Sequence, residues 1–148
     1  MLEKRFLLVL IILIISIFVT ACTANGESNG DASQVISSFA DIPPALQSAG
    51  FAVEASGSIV QPFFEPEAKI ITVNDQEIQV FEFVTVSEAL SAAETISPEG
   101  SSIGTSMVTW ISPPHFYQVG RLIILYLGDD PEIMKALEGL LGPQIAGG

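Results

Sequence analysis

The residues of this chain whose types could do chemistry are few, and they gather in its second half. Gly100-Ser101-Ser102-Ile103-Gly104 has the G-x-S-x-G form of a nucleophile elbow, the turn that presents an activated serine between a strand and a helix. That chemistry needs the strand before the serine, the helix after it, and an acid and then a histidine further on. Here a helical pattern precedes and β-rich sequence follows, and no carboxylate lies between Ser102 and His115. The segment reads as a Gly/Ser turn, and no catalytic residue is assigned.

His115 is the only histidine, which excludes every multi-histidine zinc site. Asp129, Asp130 and Glu132 lack the D-x-D-x-D-G spacing of a calcium loop and fit a helix cap instead, so the chain is read as having no metal site and no cofactor. The best polar cluster is on a strand. Alternation places His115, Tyr117 and Val119 on one face, with Arg121 joining them if Gly120 introduces no bulge. His115 at a strand start is either a half-buried histidine bonded to backbone or part of a binding site, and Arg121 either a structural ion pair or an anion-binding group. Gln61-Pro62-Phe63-Phe64-Glu65-Pro66, with Trp110, Phe116 and Tyr117, supplies aromatic area that either closes a small core or offers a protein-binding surface.

The remaining reactive side chain, Cys22, belongs to the leader. Glu3, Lys4 and Arg5 with the free amino group make a net-positive start, and Phe6 to Phe18 is apolar apart from Ser16. That is the length of a signal-peptide core and short for a membrane span of about 20 residues. Val19-Thr20-Ala21-Cys22 then resembles the lipobox of bacterial lipoproteins. In that family the cysteine thiol receives a diacylglyceryl group and a dedicated peptidase cuts before it, and the new amino terminus is often acylated, commonly with palmitate. The resemblance implies a signal peptide over residues 1–21, lipidation at Cys22, and anchoring to the cell membrane on its extracytoplasmic side. Thr23, where Asp would favour inner-membrane retention, implies the outer membrane if the organism is diderm. The alternative is an uncleaved N-terminal helix continuing through Ala24. Cys22 is the only cysteine, so no disulfide forms within the chain and the exported domain relies on its core.

Without residues 1–21 the chain loses Glu3, Lys4 and Arg5 and keeps 16 acidic against 3 basic groups, a formal charge of −13. Nucleic acid is excluded as a partner, and a body of this charge stands off anionic headgroups. Residues 22–34 carry the lipidated cysteine and a small, polar tether, and residues 35–148 have the length of one domain.

Three helices and several strands must position these residues. Asp41 with Pro43 and Pro44 opens a short helix that Gly50 stops. Thr85-Val86-Ser87-Glu88 has capping-box form, followed by Val86, Ala89, Leu90, Ala93 and Ile96 as the buried stripe. Asp129-Asp130-Pro131-Glu132 opens the third helix, which buries Ile133, Leu137, Leu140 and Leu141 and ends at Gly142-Pro143. Strands are expected at Phe51 to Ala55, Ile59 to Phe64 as an interrupted edge, Lys69 to Val73 paired with Glu77 to Phe83, Met107 to Ile111, Phe116 to Val119 and Leu122 to Leu127. The last is apolar on both faces, as a central strand is. Short connections favour an α+β two-layer sandwich: a mainly antiparallel sheet of about five strands with helices on one face.

The segments VQPFFEPEAKIITVNDQEIQVFEF, PHFYQVGRLIILYLGDD and LLGPQIAG resemble stretches of small uncharacterised bacterial exported proteins and lipoproteins. That resemblance implies no activity. The expected role is therefore a lipid-anchored, non-enzymatic domain that binds an envelope partner or supports an envelope assembly. The alternatives are a small anionic-ligand module built on His115, Tyr117 and Arg121, and a hydrolase, which requires His115 within hydrogen-bond reach of both a carboxylate and a nucleophile.

Overall fold

A computed structural model describes residues 35–148; the leader, Cys22 and the tether lie outside the described residues. A 3-10 turn, Phe39–Asp41, leads into α1, Ile42–Ser48, where Pro43 and Pro44 occupy first-turn positions that need no amide donor. Ahead of it Asp41 Oδ2 accepts from both the amides and the hydroxyls of Ser37 and Ser38, at 2.9–3.0 Å. These bonds, the Ser37 amide's first, hold the Asp41 carboxyl down to about 2.

The first strand, β1, runs Val53–Ile59 without a break, because a bulge between Ala55 and Gly57, with Gly57 at φ +108°, absorbs an irregularity in the pairing. The expected strand from Ile59 to Phe64 does not form. Ile59 ends β1, and Pro62 and Pro66 turn residues 60–67 into an irregular loop. β2, Ala68–Val73, and β3, Gln76–Glu82, form the expected hairpin with a two-residue turn in which Asn74 and Asp75 both take positive φ, +48° and +65°. A turn of that hand matches strand twist, and Asn and Asp tolerate it.

Next comes α2, Val86–Ala93, closed by the capping box: Thr85 accepts from the Glu88 amide at 3.2 Å and Glu88 from the Thr85 amide at 3.0 Å. A two-strand ribbon follows, β4 (Ser102–Ile103) with β5 (Ser106–Met107). Met107 to Ile111 is therefore not a strand of the main sheet; Pro113 and Pro114 follow close behind, and Trp110 turns inward from a loop to bond the Gly100 carbonyl at 2.7 Å. β6 (Pro114–Val119) and β7 (Leu122–Leu127) make the second hairpin. α3 (Pro131–Leu141) is capped by Asp130, whose Oδ1 accepts from the amides of Glu132 at 2.8 Å and Ile133 at 3.3 Å. Finally β8 (Ala146–Gly147) adds a short strand beside β6 that periodicity does not signal.

The main sheet is antiparallel with order β1-β2-β3-β7-β6-β8, six strands in place of about five. β7 lies at its centre and is buried on both faces, as its composition requires. Alternation sends Ile78, Val80, Leu122, Ile124 and Tyr126 into one cluster with residues of α1 and α3. Phe81, Ile123, Leu125 and Phe116 enter a second cluster with Ala89 of α2, Phe64 and Ile103. Successive strand residues point to opposite faces, so α2 packs against the face opposite α1 and α3. The α+β, antiparallel reading holds; the expectation of helices on one face does not. A sheet this apolar on both sides must be covered on both.

This placement also changes which face of α2 is buried. Ala89 is fully buried and Ala92 and Ala93 pack against the second cluster, whereas Val86 and Leu90 remain about half exposed. Small side chains let the helix lie close to the large aromatic side chains Phe64, Phe81 and Phe83, which fill the space that longer helix residues would otherwise occupy.

Candidate functional site

The residues expected to act together are dispersed. His115 and Tyr117 do share a face of β6, both beside Tyr126 of β7. The His115 ring stacks on Tyr126 with centroids 5.9 Å apart, and its Nδ1 lies 2.8 Å from Gln144 Oε1. Gln144 uses its Nε2 to donate to the carbonyls of Ala146 and Gly147, so its oxygen faces the ring and Nδ1 is the donor. Nε2 is then a buried acceptor with no partner among the described residues. The partner is a side-chain amide, and among the described residues neither a carboxylate nor a nucleophile is hydrogen-bonded to the imidazole. The geometry that the hydrolase reading requires is absent among the described residues.

Tyr117 is a core residue, 1% exposed. Burial, then the nearby Glu138 and Tyr126, push its hydroxyl above the ordinary tyrosine value. Arg121 is not on the β6 face at all. Gly120, at φ +53°, and Arg121 form the turn between β6 and β7, so the strand ends before the alternation reaches Arg121. Its Nη2 pairs with Glu82 Oε1 at 2.7 Å, and its Nε donates to the Ser37 carbonyl at 3.4 Å. Lys69 Nζ meets the other Glu82 oxygen at 3.1 Å and lies 4.7 Å from the centre of the Phe39 ring. Two of the basic residues thus converge on one carboxylate as a structural ion group, and the support for an anion site built on His115, Tyr117 and Arg121 falls away.

The glycines of the serine pattern have conformational and packing duties. Gly100, at φ +68°, lies against Phe116 and Pro114, where a Cβ would sit 3.0–3.1 Å from their side chains. Gly104, at φ +57°, turns β4 into β5. Ser102 pairs with Met107 in that ribbon, and its amide donates to Ser97 Oγ at 3.0 Å. No elbow forms. Among the described residues no group of three or more His, Cys, Asp or Glu is placed to hold a metal ion.

A concave site lies instead on the α2 side of the sheet. A groove of about 490 Å³ runs between the residue 60–67 loop, α2 and the β4–β5 turn. Its floor is Phe63, Phe64, Phe83 and Ile103, held by edge-to-face contacts: Phe64 meets Phe83 at 5.8 Å and Phe63 at 5.1 Å, and Phe63 meets Trp110 at 5.8 Å. One wall is Ser87, Ser91 and Thr95, spaced four residues apart so that they follow one line along α2 and just past its end. Thr105 and Ser106 form the opposite wall, and Glu65 and Glu88 are the charged members of the lining. Of the proline-flanked aromatics, Phe64 belongs to the core, and Phe63 is half-buried against it and lines the groove.

The hydroxyl line carries no sequence signal beyond its four-residue spacing. Its exposure depends on α2 turning its alanines inward, which periodicity does not reveal. Glu65 and Glu88 come from different elements, and nothing in their spacing of 23 residues announces a shared site. In comparison with known proteins, the chain matches no family model, no curated protein and no solved structure.

Proposed function

We propose that this protein is a lipid-anchored extracytoplasmic domain with a non-enzymatic role, binding a partner in the cell envelope or supporting an assembly there. The anchor rests on the leader, where a positive start, a short apolar core and Val19-Thr20-Ala21-Cys22 follow in the order that lipidation requires. Among the described residues no helix is long and apolar enough to cross a membrane. Two or more acyl chains on Cys22 are sufficient for stable attachment where one is marginal.

The observation that carries the binding role is the groove beside α2. It joins an apolar floor to hydroxyl walls and two carboxylates, a lining suited to recognition, while neither His115 nor Ser102 is part of that lining. Cross-linking in native membranes, with reagents of several lengths, is expected to recover a recurrent partner. Recovery of none would overturn the binding role. The anchor is tested separately: Cys22→Ser is expected to abolish metabolic fatty-acid labelling, and a labelled variant would refute it.

A further inference from the structure

We infer that the groove beside α2 takes a basic, apolar-rich segment of a protein partner, with cationic heads on Glu65 and Glu88 and aliphatic stems over Phe63 and Phe83. The inference rests on the binding role proposed above and supplies the chemistry of the partner. Charge complementarity carries it. The charged residues of the lining are both carboxylates, and no lysine or arginine lines the groove. Glu65 has no ion pair among the described residues, and Glu88 gives Oε2 to the Thr85 amide with no cation beside it. A second hollow of about 170 Å³ shares Glu65, Phe83 and Glu88 with the groove and continues it toward Glu82. The two carboxylates therefore stand on a common rim with an aromatic ring between the two spaces.

An anionic ligand meets repulsion at this rim. A lysine or arginine meets attraction, and its methylene stem finds Phe83 and Phe63 beneath it, the arrangement in which long cationic side chains cover apolar surface while keeping the charge wet. The shape fits an extended chain. From Ser87 to Thr95 the hydroxyl line extends roughly 12 Å at the rise of a helix, about the span of three to four residues of extended peptide. Ser87 and Ser91 are exposed, and their hydroxyls make no hydrogen bond to another described residue, so both hydroxyls are free to bond a visiting backbone. A neutral oligosaccharide also matches hydroxyl walls, but it leaves the two carboxylates without counter-charge.

The test uses the full chain in a mild zwitterionic detergent and follows the emission of Trp110, the single tryptophan, which contacts the groove through Phe63. The probes are three blocked pentapeptides, Lys-Val-Lys-Val-Lys, Glu-Val-Glu-Val-Glu and Ser-Val-Ser-Val-Ser, and a neutral oligosaccharide of N-acetylglucosamine. The basic peptide is expected to give a saturable change, weakened by salt, and at least about tenfold tighter than the others, the sum of two partly exposed charge contacts. Glu65→Gln with Glu88→Gln is expected to cost the basic peptide about the same factor and to reduce its salt dependence; glutamine preserves the capping box. Equal binding of the acidic or uncharged peptide, or preferential binding of the saccharide, overturns the inference without recourse to any variant. In native membranes Ser91→Phe, which fills the groove from an exposed position, is expected to lose the cross-linked partner. If that variant still captures the partner, the groove assignment is wrong and the binding role stands. If the unmodified chain captures none, both fall.

Discussion

Tyr126 and Tyr117 are neighbours on one face of the sheet, 0% and 1% exposed, yet removal of their hydroxyls is expected to have very unequal consequences. Tyr126 Oη donates to Gln76 Oε1 and accepts from the Asp130 amide at 3.1 Å, and Gln76 Nε2 reaches Asp130 Oδ2 at 3.3 Å. The hydroxyl therefore ties the start of β3 and the end of β7 to the cap of α3. Tyr117 Oη has no hydrogen-bond partner among the described residues. Tyr126→Phe keeps the ring and its packing but removes two hydrogen bonds, each of net worth about 1 kcal/mol, and strands their partners. The expected loss is about 2 kcal/mol, or roughly 8 °C in Tm for a domain of this size. Tyr117→Phe is expected to cost less than about 0.5 kcal/mol, since no bond is broken. Urea and thermal unfolding of the full chain in detergent, followed by circular dichroism, measure both. Equal losses, or a Tyr126→Phe variant indistinguishable from the parent, would refute the assignment of the hydroxyl as the tie.

Other consequences are accessible to similar measurements. Both tyrosines are pushed above the ordinary value of 10.0, chiefly by burial, so absorbance titration is expected to show less tyrosinate at pH 10 in the folded chain than in the unfolded one; their contribution to stability is present below that pH and lost as pH rises through the folded values. Asp41 works in the other direction: its carboxyl is held at about 2 against 3.8, so its contribution is present above pH 3.8 and disappears as pH falls toward 2. Asp41→Asn is expected to flatten the pH dependence of stability in that window, and an unchanged acid limb would count against the four hydrogen bonds. Gly147→Ala places a Cβ on the Pro114 carbonyl at φ +94°, so it is expected to cost more than about 1 kcal/mol and to speed amide exchange in β8. Gly139→Ala, in α3 with open space around it, is expected to stabilise by up to about 1 kcal/mol, and a loss there would contradict its placement.

Local chemistry was readable wherever the signal and its cause share a few residues. Thr85 and Glu88 announce the start of α2, Asp130 and Pro131 that of α3, and the short polar connection from Val73 to Glu77 the hairpin, because caps and tight turns satisfy their own backbone groups. Leu122 to Leu127 declared a central strand because burial on both faces leaves no polar alternation. Where distant segments decide, sequence was silent. The expected interruption at Ile59 to Phe64 misread a loop whose purpose is to bring Phe63 and Phe64 onto Phe81, and β8 owes its strand form to β6 and to Gln144.

The candidate site divides along the same line. Composition alone established the acidic excess, the single histidine and the single cysteine, since those are properties of residue type and count. Tertiary structure decided what each group faces. It buried Tyr117, spent Arg121 on Glu82, gave His115 an amide partner, and assembled the groove from a loop, a helix and a turn. Alternation names the face of a strand; only packing says whether that face meets a helix, an ion pair or open space.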